Sequence, residues 1–166
     1  RRQSVRHVHL HRNFRRLLSF MALWSFAVNM AGPFFVIYML QRLQISFTLV
    51  TILTVMSQVA YLLFLRLWGR LADRFSSKSV LSVSGTLFLL TILGWTFTTM
   101  PERFPLTVPL LIAIHLVSGM ALAGVNLASS SIGLKLAPDE AVHSYMTVFA
   151  LISAAAGALG PLAGGL

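Results

Sequence analysis

The sequence contains no cysteine and few charged residues. The absence of cysteine among its 166 residues excludes disulfides, thiolate metal sites and a cysteine nucleophile. Charged residues make up 10% of the chain, against about 25% in an ordinary soluble domain. Only four residues are acidic, and none of them falls inside the long apolar runs described next. Those runs therefore supply no carboxylate that could carry a proton within a membrane.

Apolar sequence is abundant instead. Hydrophobic residues make up 57% of the chain and form five runs, at 17–40, 45–67, 80–100, 106–136 and 142–166. Each run reaches the roughly 20 residues needed to cross a ~30 Å hydrocarbon core, and backbone hydrogen bonding in lipid makes each one a helix. The sequence predicts an all-α integral membrane protein, with one helical bundle over 17–166. Its short connections make successive helices antiparallel neighbours.

The basic residues predict the orientation of this bundle. Of the 13 lysines and arginines, only Arg42 and Arg103 fall on the side opposite to residues 1–16. The positive-inside rule therefore places residues 1–16 and the 68–79 connection in the cytoplasm. The membrane is expected to be the inner or plasma membrane of the cell. The net charge of +9 would also suit a nucleic-acid arm. Because the basic segment continues directly into an apolar run, an interfacial lead-in is favoured and no nucleic-acid partner is expected.

Histidines alternate in the basic segment at His7, His9 and His11. His7 and His11 would share a helix face, which is a spacing that can bind a metal. No carboxylate or cysteine joins them, so solvated histidines are favoured and no metal or cofactor is expected.

Polar side chains form stripes on three of the predicted helices. Asn29 lies in the first run, Gln58 and Tyr61 are one turn apart in the second, and His115 and Asn126 are three turns apart in the fourth. These five residues are candidates for the lining of a substrate cavity. The alternative is that they hydrogen-bond neighbouring helices, at about 0.6 kcal/mol each.

Small residues indicate close helix packing in the last run and in the fourth. Gly119 and Ala123 are four residues apart, as are Gly160 and Gly164. Such steps let helix backbones approach each other. The predicted packing element of the last run comprises Gly160, Pro161, Gly164 and Gly165.

The polar stretch from Trp68 to Leu81 resembles the loop signature of the major facilitator superfamily. That signature has a glycine, three further residues, Asp-Arg, a turn glycine and nearby basic residues. The matching positions here are Gly69, Asp73, Arg74 and Lys78. Ser76 stands in place of the turn glycine and Ser79 in place of a second basic residue. The run 160–165 is similar to the glycine-proline motif in the fifth helix of drug-exporting members.

The resemblance implies a secondary transporter, a permease or efflux protein, that moves a small solute by alternating access. Such proteins have twelve helices in two related six-helix halves, with the substrate path between them. The chain would then be most of one half, incomplete at its C-terminus, with the lipid bilayer and the other half as partners. The C-terminal half is favoured, because the chain begins without methionine and its basic segment suits a linker between halves.

The resemblance also implies a conformational latch. By family analogy, Asp73 faces the positive end of a helix in the opposite half, Gly69 allows the close approach, and Arg74 pairs with an acid or a carbonyl. An anion at a helix N-terminus contributes roughly 0.3–1 kcal/mol when exposed.

Other classes of membrane protein fit the sequence less well. A membrane-embedded enzyme needs a nucleophile with a base or clustered metal ligands, and His115 is the one ionisable residue at mid-depth. The chain is therefore not expected to be an enzyme. A channel needs a filter-like loop, and none interrupts the runs. A structural membrane subunit stays open as an alternative.

Overall fold

The computed structural model describes residues 12–99 and 105–165. Within these residues the chain forms helices and no strands, which confirms the all-α prediction. The five α-helices are α1 (Arg12–Ile37), α2 (Phe47–Arg74), α3 (Ser77–Trp95), α4 (Thr107–Leu136) and α5 (Val142–Gly164). A π-helical turn at Tyr38–Arg42 continues α1, and 3₁₀ turns occupy Thr96–Thr99 and Asp139–Ala141. The three alternating histidines and the connection that carries Arg103 lie outside the described residues.

All five helices are long and apolar enough to cross a membrane, by length and composition. The candidate spans have mean hydropathies between 1.7 and 2.1, and they cover Arg12–Arg42, Phe47–Arg74, Ser77–Thr99, Thr107–Leu136 and Asp139–Gly164. Large apolar side chains also point outward, among them Leu62 and Leu63 on α2, which are 67% and 70% exposed. A lipid environment removes the cost of this exposure, which a water-soluble monomer would carry.

The second connection is shorter than the sequence predicts. Residues 68–79 were expected to form a charged loop, but α2 continues through Arg74 and α3 begins at Ser77. The expectation was wrong because exposed charged side chains do not end a helix when no proline follows them. Only Phe75 and Ser76 separate the two helices.

Ser76 explains how so short a connection can work without the family's turn glycine. Its backbone is extended, at φ −175° and ψ 154°, so no left-handed conformation is needed. Its hydroxyl accepts a hydrogen bond of 3.0 Å from the backbone N–H of Ser79, which makes Ser76 the N-cap of α3.

The described residues divide into two compact units. The first comprises the chain up to Ala31 together with the chain from Gly133 onward, and so contains the first part of α1 and all of α5. The rings of Phe14 and Tyr145 lie 4.6 Å apart between their centroids. Gly160 brings α5 against α1, since a Cβ there would lie 2.7 Å from the backbone nitrogen of Met30. This unit is therefore held by contact between the two backbones as well as by side chains.

The second unit, Gly32–Ile132, contains α2, α3 and most of α4. Gly119 of α4 lies against α2, where an added Cβ would overlap the carbonyl group of Ser57. Gly124, five residues further along, faces α3, where a Cβ would lie 2.5 Å from that of Ser84. One helix thus approaches two neighbours through glycine, as small residues permit in membranes.

A buried tryptophan adds a polar link to this packing. The indole N–H of Trp68 in α2 donates a 2.8 Å hydrogen bond to the backbone carbonyl of Met120 in α4, and Trp68 is buried. At the start of α3, the hydroxyls of Ser77 in α3 and Ser131 in α4 are 2.9 Å apart. These bonds cross between helices, so they fix the rotation of each helix about its axis.

Candidate functional site

Two of the five predicted cavity residues, Tyr61 and Asn126, are in contact in the second unit. The side-chain amide of Asn126 in α4 donates a hydrogen bond to the hydroxyl of Tyr61 in α2, over 3.4 Å. Gln58 precedes Tyr61 by one turn of α2. Gln58 and Asn126 are both exposed, and Tyr61 is half-buried. The three side chains therefore offer amide and hydroxyl groups on a surface of the α2–α4 pair that can accept and donate hydrogen bonds.

His115 lies elsewhere and is not exposed. Its side chain is 9% exposed, and its ring packs edge-on against Trp95 with 5.8 Å between the centroids. Its Nδ1 is 2.8 Å from the backbone carbonyl of Leu111. Since a carbonyl only accepts, Nδ1 carries the hydrogen. In this arrangement His115 fills space between helices, and its Nδ1–H has a backbone partner.

Trp95 is the centre of an aromatic cluster that the sequence analysis missed. Its ring stacks on Phe35 at 4.5 Å and meets Tyr38 at 6.0 Å. The Tyr38 hydroxyl is 2.9 Å from the hydroxyl of Thr98, and the Thr107 hydroxyl donates to the Thr98 carbonyl over 3.1 Å. The sequence does carry a signal for this cluster, namely aromatic residues near the ends of the apolar runs. Such residues are enriched at membrane interfaces.

Asn29 belongs to the first unit. Its amide donates a 2.8 Å hydrogen bond to the backbone carbonyl of Ser25 within α1. It also faces α5, because a Cβ on Gly157 would lie 3.2 Å from the Asn29 amide nitrogen. Each of these two residues is followed four positions later by a proline, Pro33 in α1 and Pro161 in α5. The backbone carbonyls of Asn29 and Gly157 therefore lack the usual helical donor.

The signature residues occupy the last turns of α2 and the first turn of α3. Asp73, Arg74 and Lys78 are all exposed. The Arg74 guanidinium carbon is 5.4 Å from the centre of the Phe75 ring, within cation–π range. Gly69 has ordinary space around it, since an added Cβ would be 3.9 Å from a methyl group of Leu127. Nothing in the described chain thus requires glycine at 69, whereas three charged side chains are free to meet a partner surface.

The residues of the predicted packing element differ in their surroundings. Gly160 is buried against α1, as described above, while Pro161 is exposed. Gly164 ends α5, and the backbone N–H of Gly165 donates to the Pro161 carbonyl over 3.0 Å. Close helix contact in this element is carried by Gly160.

Metal ligands do not cluster in the part of the chain that the structure describes. No three His, Cys, Asp or Glu side chains among residues 12–99 and 105–165 are placed to hold a metal ion.

A family model described as Major Facilitator Superfamily matches residues 17–166. No curated protein and no solved structure matches the chain. The matched range includes α1 from Leu17 onward, all of α2 to α5, the signature residues and the five predicted cavity residues.

Proposed function

The chain belongs to the major facilitator superfamily, whose members are transporters, and we propose from this that it moves a small solute across a membrane by alternating access. The observation that carries the proposal is the polar group formed by Gln58, Tyr61 and Asn126 on two helices that can span a membrane. Polar side chains within spans are costly, and they mark substrate pathways more often than lipid-facing surface.

The group favours a solute that is recognised by hydrogen bonds. Amides and a phenol both donate and accept, and no carboxylate accompanies them in the candidate span of α2 before Asp73 or in that of α4. A neutral polar solute suits such a surface, because no charge on it would be left without a partner.

The remaining wall of the solute path is supplied by the other six-helix half of the same transporter. In this arrangement, the present chain forms most of one half, and Gln58 and Asn126 face the other half across the cavity. The exposure of both side chains supports this, since they are free to contact a solute or a facing helix.

The signature residues serve as the latch between the halves. Asp73 is exposed at the end of α2, where it can meet the positive end of a helix in the other half. An attraction made in only one of two conformations shifts the population toward that conformation. Residues 1–16 and the α2–α3 connection would lie in the cytoplasm, and the protein in the cell membrane.

The test is cysteine scanning of α2 and α4 in the full-length transporter, with any cysteine outside this chain first replaced. A charged, water-soluble thiol reagent should label the Gln58→Cys and Asn126→Cys variants. It should leave Val59→Cys and Leu63→Cys unlabelled, since these exposed apolar positions would face lipid. Flux of a panel of radiolabelled sugars and amino acids into proteoliposomes is measured alongside.

Alternating access predicts a saturable flux with counterflow, and protection of positions 58 and 126 by the transported solute. Labelling of 59 and 63 with 58 and 126 inert would mean that α2 and α4 are rotated from the proposed orientation. A flux that is linear in solute concentration would contradict the transport mechanism itself.

A further inference from the structure

The first turns of α1 carry a group of positive charges on one face. Arg12, Arg15 and Arg16 are exposed, and together with Ser19 they line one concave surface. At 100° per residue, these four positions fall within an arc of about 100°. The residues that pack into the first unit, Phe14, Leu17, Leu18 and Met21, lie on the opposite face. The arginines therefore point away from the packing of the described part of the first unit.

No acidic group of the described chain neutralises these arginines. Arg12, Arg15 and Arg16 make no ion pair with any carboxylate among residues 12–99 and 105–165. The whole chain offers only four acids against 13 lysines and arginines, and α1 itself contains none. Three guanidinium groups this close together attract an anion from outside the chain, and phosphate fits their planar forks best.

The same face continues as apolar surface. Phe20 and Leu23 follow Arg16 at intervals of four and three residues and are 39% and 71% exposed, and Ala27 extends the stripe by another turn. Leu23 lies roughly 10 Å beyond Arg16 along the helix axis. One continuous face thus carries a cationic end and an apolar extension at the boundary of a candidate membrane span.

We propose that Arg12, Arg15, Arg16 and Ser19 bind the phosphate of an acidic phospholipid, whose acyl chain lies along Phe20, Leu23 and Ala27. The apolar stripe favours a lipid over a soluble phosphate, because a free anion would gain nothing from it. The proposal does not depend on transport, since it concerns the outward face of α1 rather than the polar group of α2 and α4.

The second run of arginines gives a matched control. Arg66 and Arg70 have the same i, i+4 spacing as Arg12 and Arg16, are likewise exposed, and fall on the same side in the predicted topology. Unlike the α1 group, they share their helix with an acid, Asp73. Two double variants can therefore be compared, Arg12→Gln/Arg16→Gln and Arg66→Gln/Arg70→Gln. Each removes two positive charges from exposed helix positions with the same spacing.

The experiment titrates the detergent-solubilised full-length transporter with phosphatidylglycerol and, separately, phosphatidylcholine, and counts bound lipid by native mass spectrometry. Wild-type protein should bind phosphatidylglycerol at least tenfold more tightly. Each basic residue next to a bound anionic headgroup contributes about 1 kcal/mol, or roughly fivefold in affinity, and Arg66 and Arg70 would not touch this headgroup. The Arg12/Arg16 variant should thus lose about 25-fold, and the Arg66/Arg70 control less than about threefold.

Equal losses in the two double variants would overturn the proposal, as would an unchanged affinity after the Arg12/Arg16 change. If that variant does not yield folded protein, Arg12→Lys/Arg16→Lys takes its place, since it keeps the charge but loses the bidentate forks. This lysine variant should bind phosphatidylglycerol about fivefold or more weakly than wild type. An unchanged affinity would refute an arginine site. Displacement of phosphatidylglycerol by 10 mM inorganic phosphate would refute the assignment to a lipid.

Discussion

The side-chain amide of Asn126 donates a hydrogen bond to the Tyr61 hydroxyl over 3.4 Å and so joins α4 to α2. Since this distance is at the long end for a hydrogen bond, the contact is weak, and a solute can replace it at little cost. A residue pair of this kind contributes modestly to stability and leaves its groups available to the proposed solute path.

The first prediction tests both properties of this pair. In a double-mutant cycle with Tyr61→Phe and Asn126→Ala, the coupling in the free energy of unfolding should not exceed about 0.6 kcal/mol. Transport by Asn126→Ala should fall about tenfold, because a lost hydrogen bond to solute costs roughly 1 kcal/mol or more. Thr86→Val is the control, as the Thr86 hydroxyl bonds only within α3, to the Ser82 carbonyl. If the coupling in the free energy of unfolding is strong and transport by Asn126→Ala is normal, the pair is a packing contact instead.

A second prediction compares two glycines. Gly119→Ala places a methyl group on the Ser57 carbonyl of α2, and a backbone group can yield only if the helices separate. We expect a destabilisation near the upper end of the 1–3 kcal/mol typical of overpacking, in thermal unfolding of the detergent-solubilised protein. Gly85→Ala meets nothing within 4 Å, so it should be neutral or stabilise by about 0.5–1 kcal/mol through helix propensity. If the two variants unfold at the same temperature, the α2–α4 contact is not as close as described.

The third prediction concerns the latch. Asp73→Asn removes the charge from the end of α2 and leaves the side-chain shape unchanged. Turnover in proteoliposomes should fall about tenfold, while the Kd for solute stays within a few fold, because Asp73 would bias a conformation without touching the solute. Asp139→Asn, an exposed acid in the 3₁₀ turn before α5, should behave as wild type. A large loss of solute binding, with the accessibility of the inner cavity unchanged, would place Asp73 in the binding site.

The fourth prediction concerns His115 and energy coupling. The chain has no carboxylate within its apolar runs, so we expect the proton-carrying acid of a coupled transporter to lie in the other half. His115 is buried against Trp95 and bonded to the Leu111 carbonyl, which suits a packing role. His115→Gln keeps an N–H donor, and its transport should still respond to a pH gradient. His115→Ala should unfold at lower temperature, by the equivalent of about 1–3 kcal/mol, because it leaves a cavity beside Trp95.

Vesicles with His115→Gln provide the decisive measurement for coupling. If they retain solute exchange but no longer respond to a pH gradient, His115 is the coupling residue and its buried position serves proton transfer.

The fold was largely predictable because each helix that crosses a membrane needs a long apolar run, which can be seen directly in the sequence. Runs such as 17–40 and 106–136 reveal their helices by length and apolar content alone. The errors came at the helix ends. The stretch Gly69–Arg74 was assigned to a loop because it is charged, yet exposed charges extend a helix beyond the membrane without ending it. Family membership followed from the spacing of Gly69, Asp73 and Arg74, and the family match confirms it.

The candidate site was only partly predictable. Periodicity shows which side chains share a face of one helix, but not which neighbour that face meets. Tyr61 and Asn126 come together, whereas His115, three turns from Asn126 on the same helix, is buried beside Trp95. The bond from Trp68 to Met120 could not be predicted, because its acceptor is a backbone carbonyl and every residue has one.

The two prolines have a further consequence for motion. Pro33 and Pro161 each deprive a carbonyl of its donor, at Asn29 and Gly157, and these two residues face each other between α1 and α5. A missing backbone bond lowers the resistance of a helix to bending at that level. Because both weak points occur where Asn29 meets Gly157, we expect α1 and α5 to bend most easily at the same level, close to their contact at Gly160.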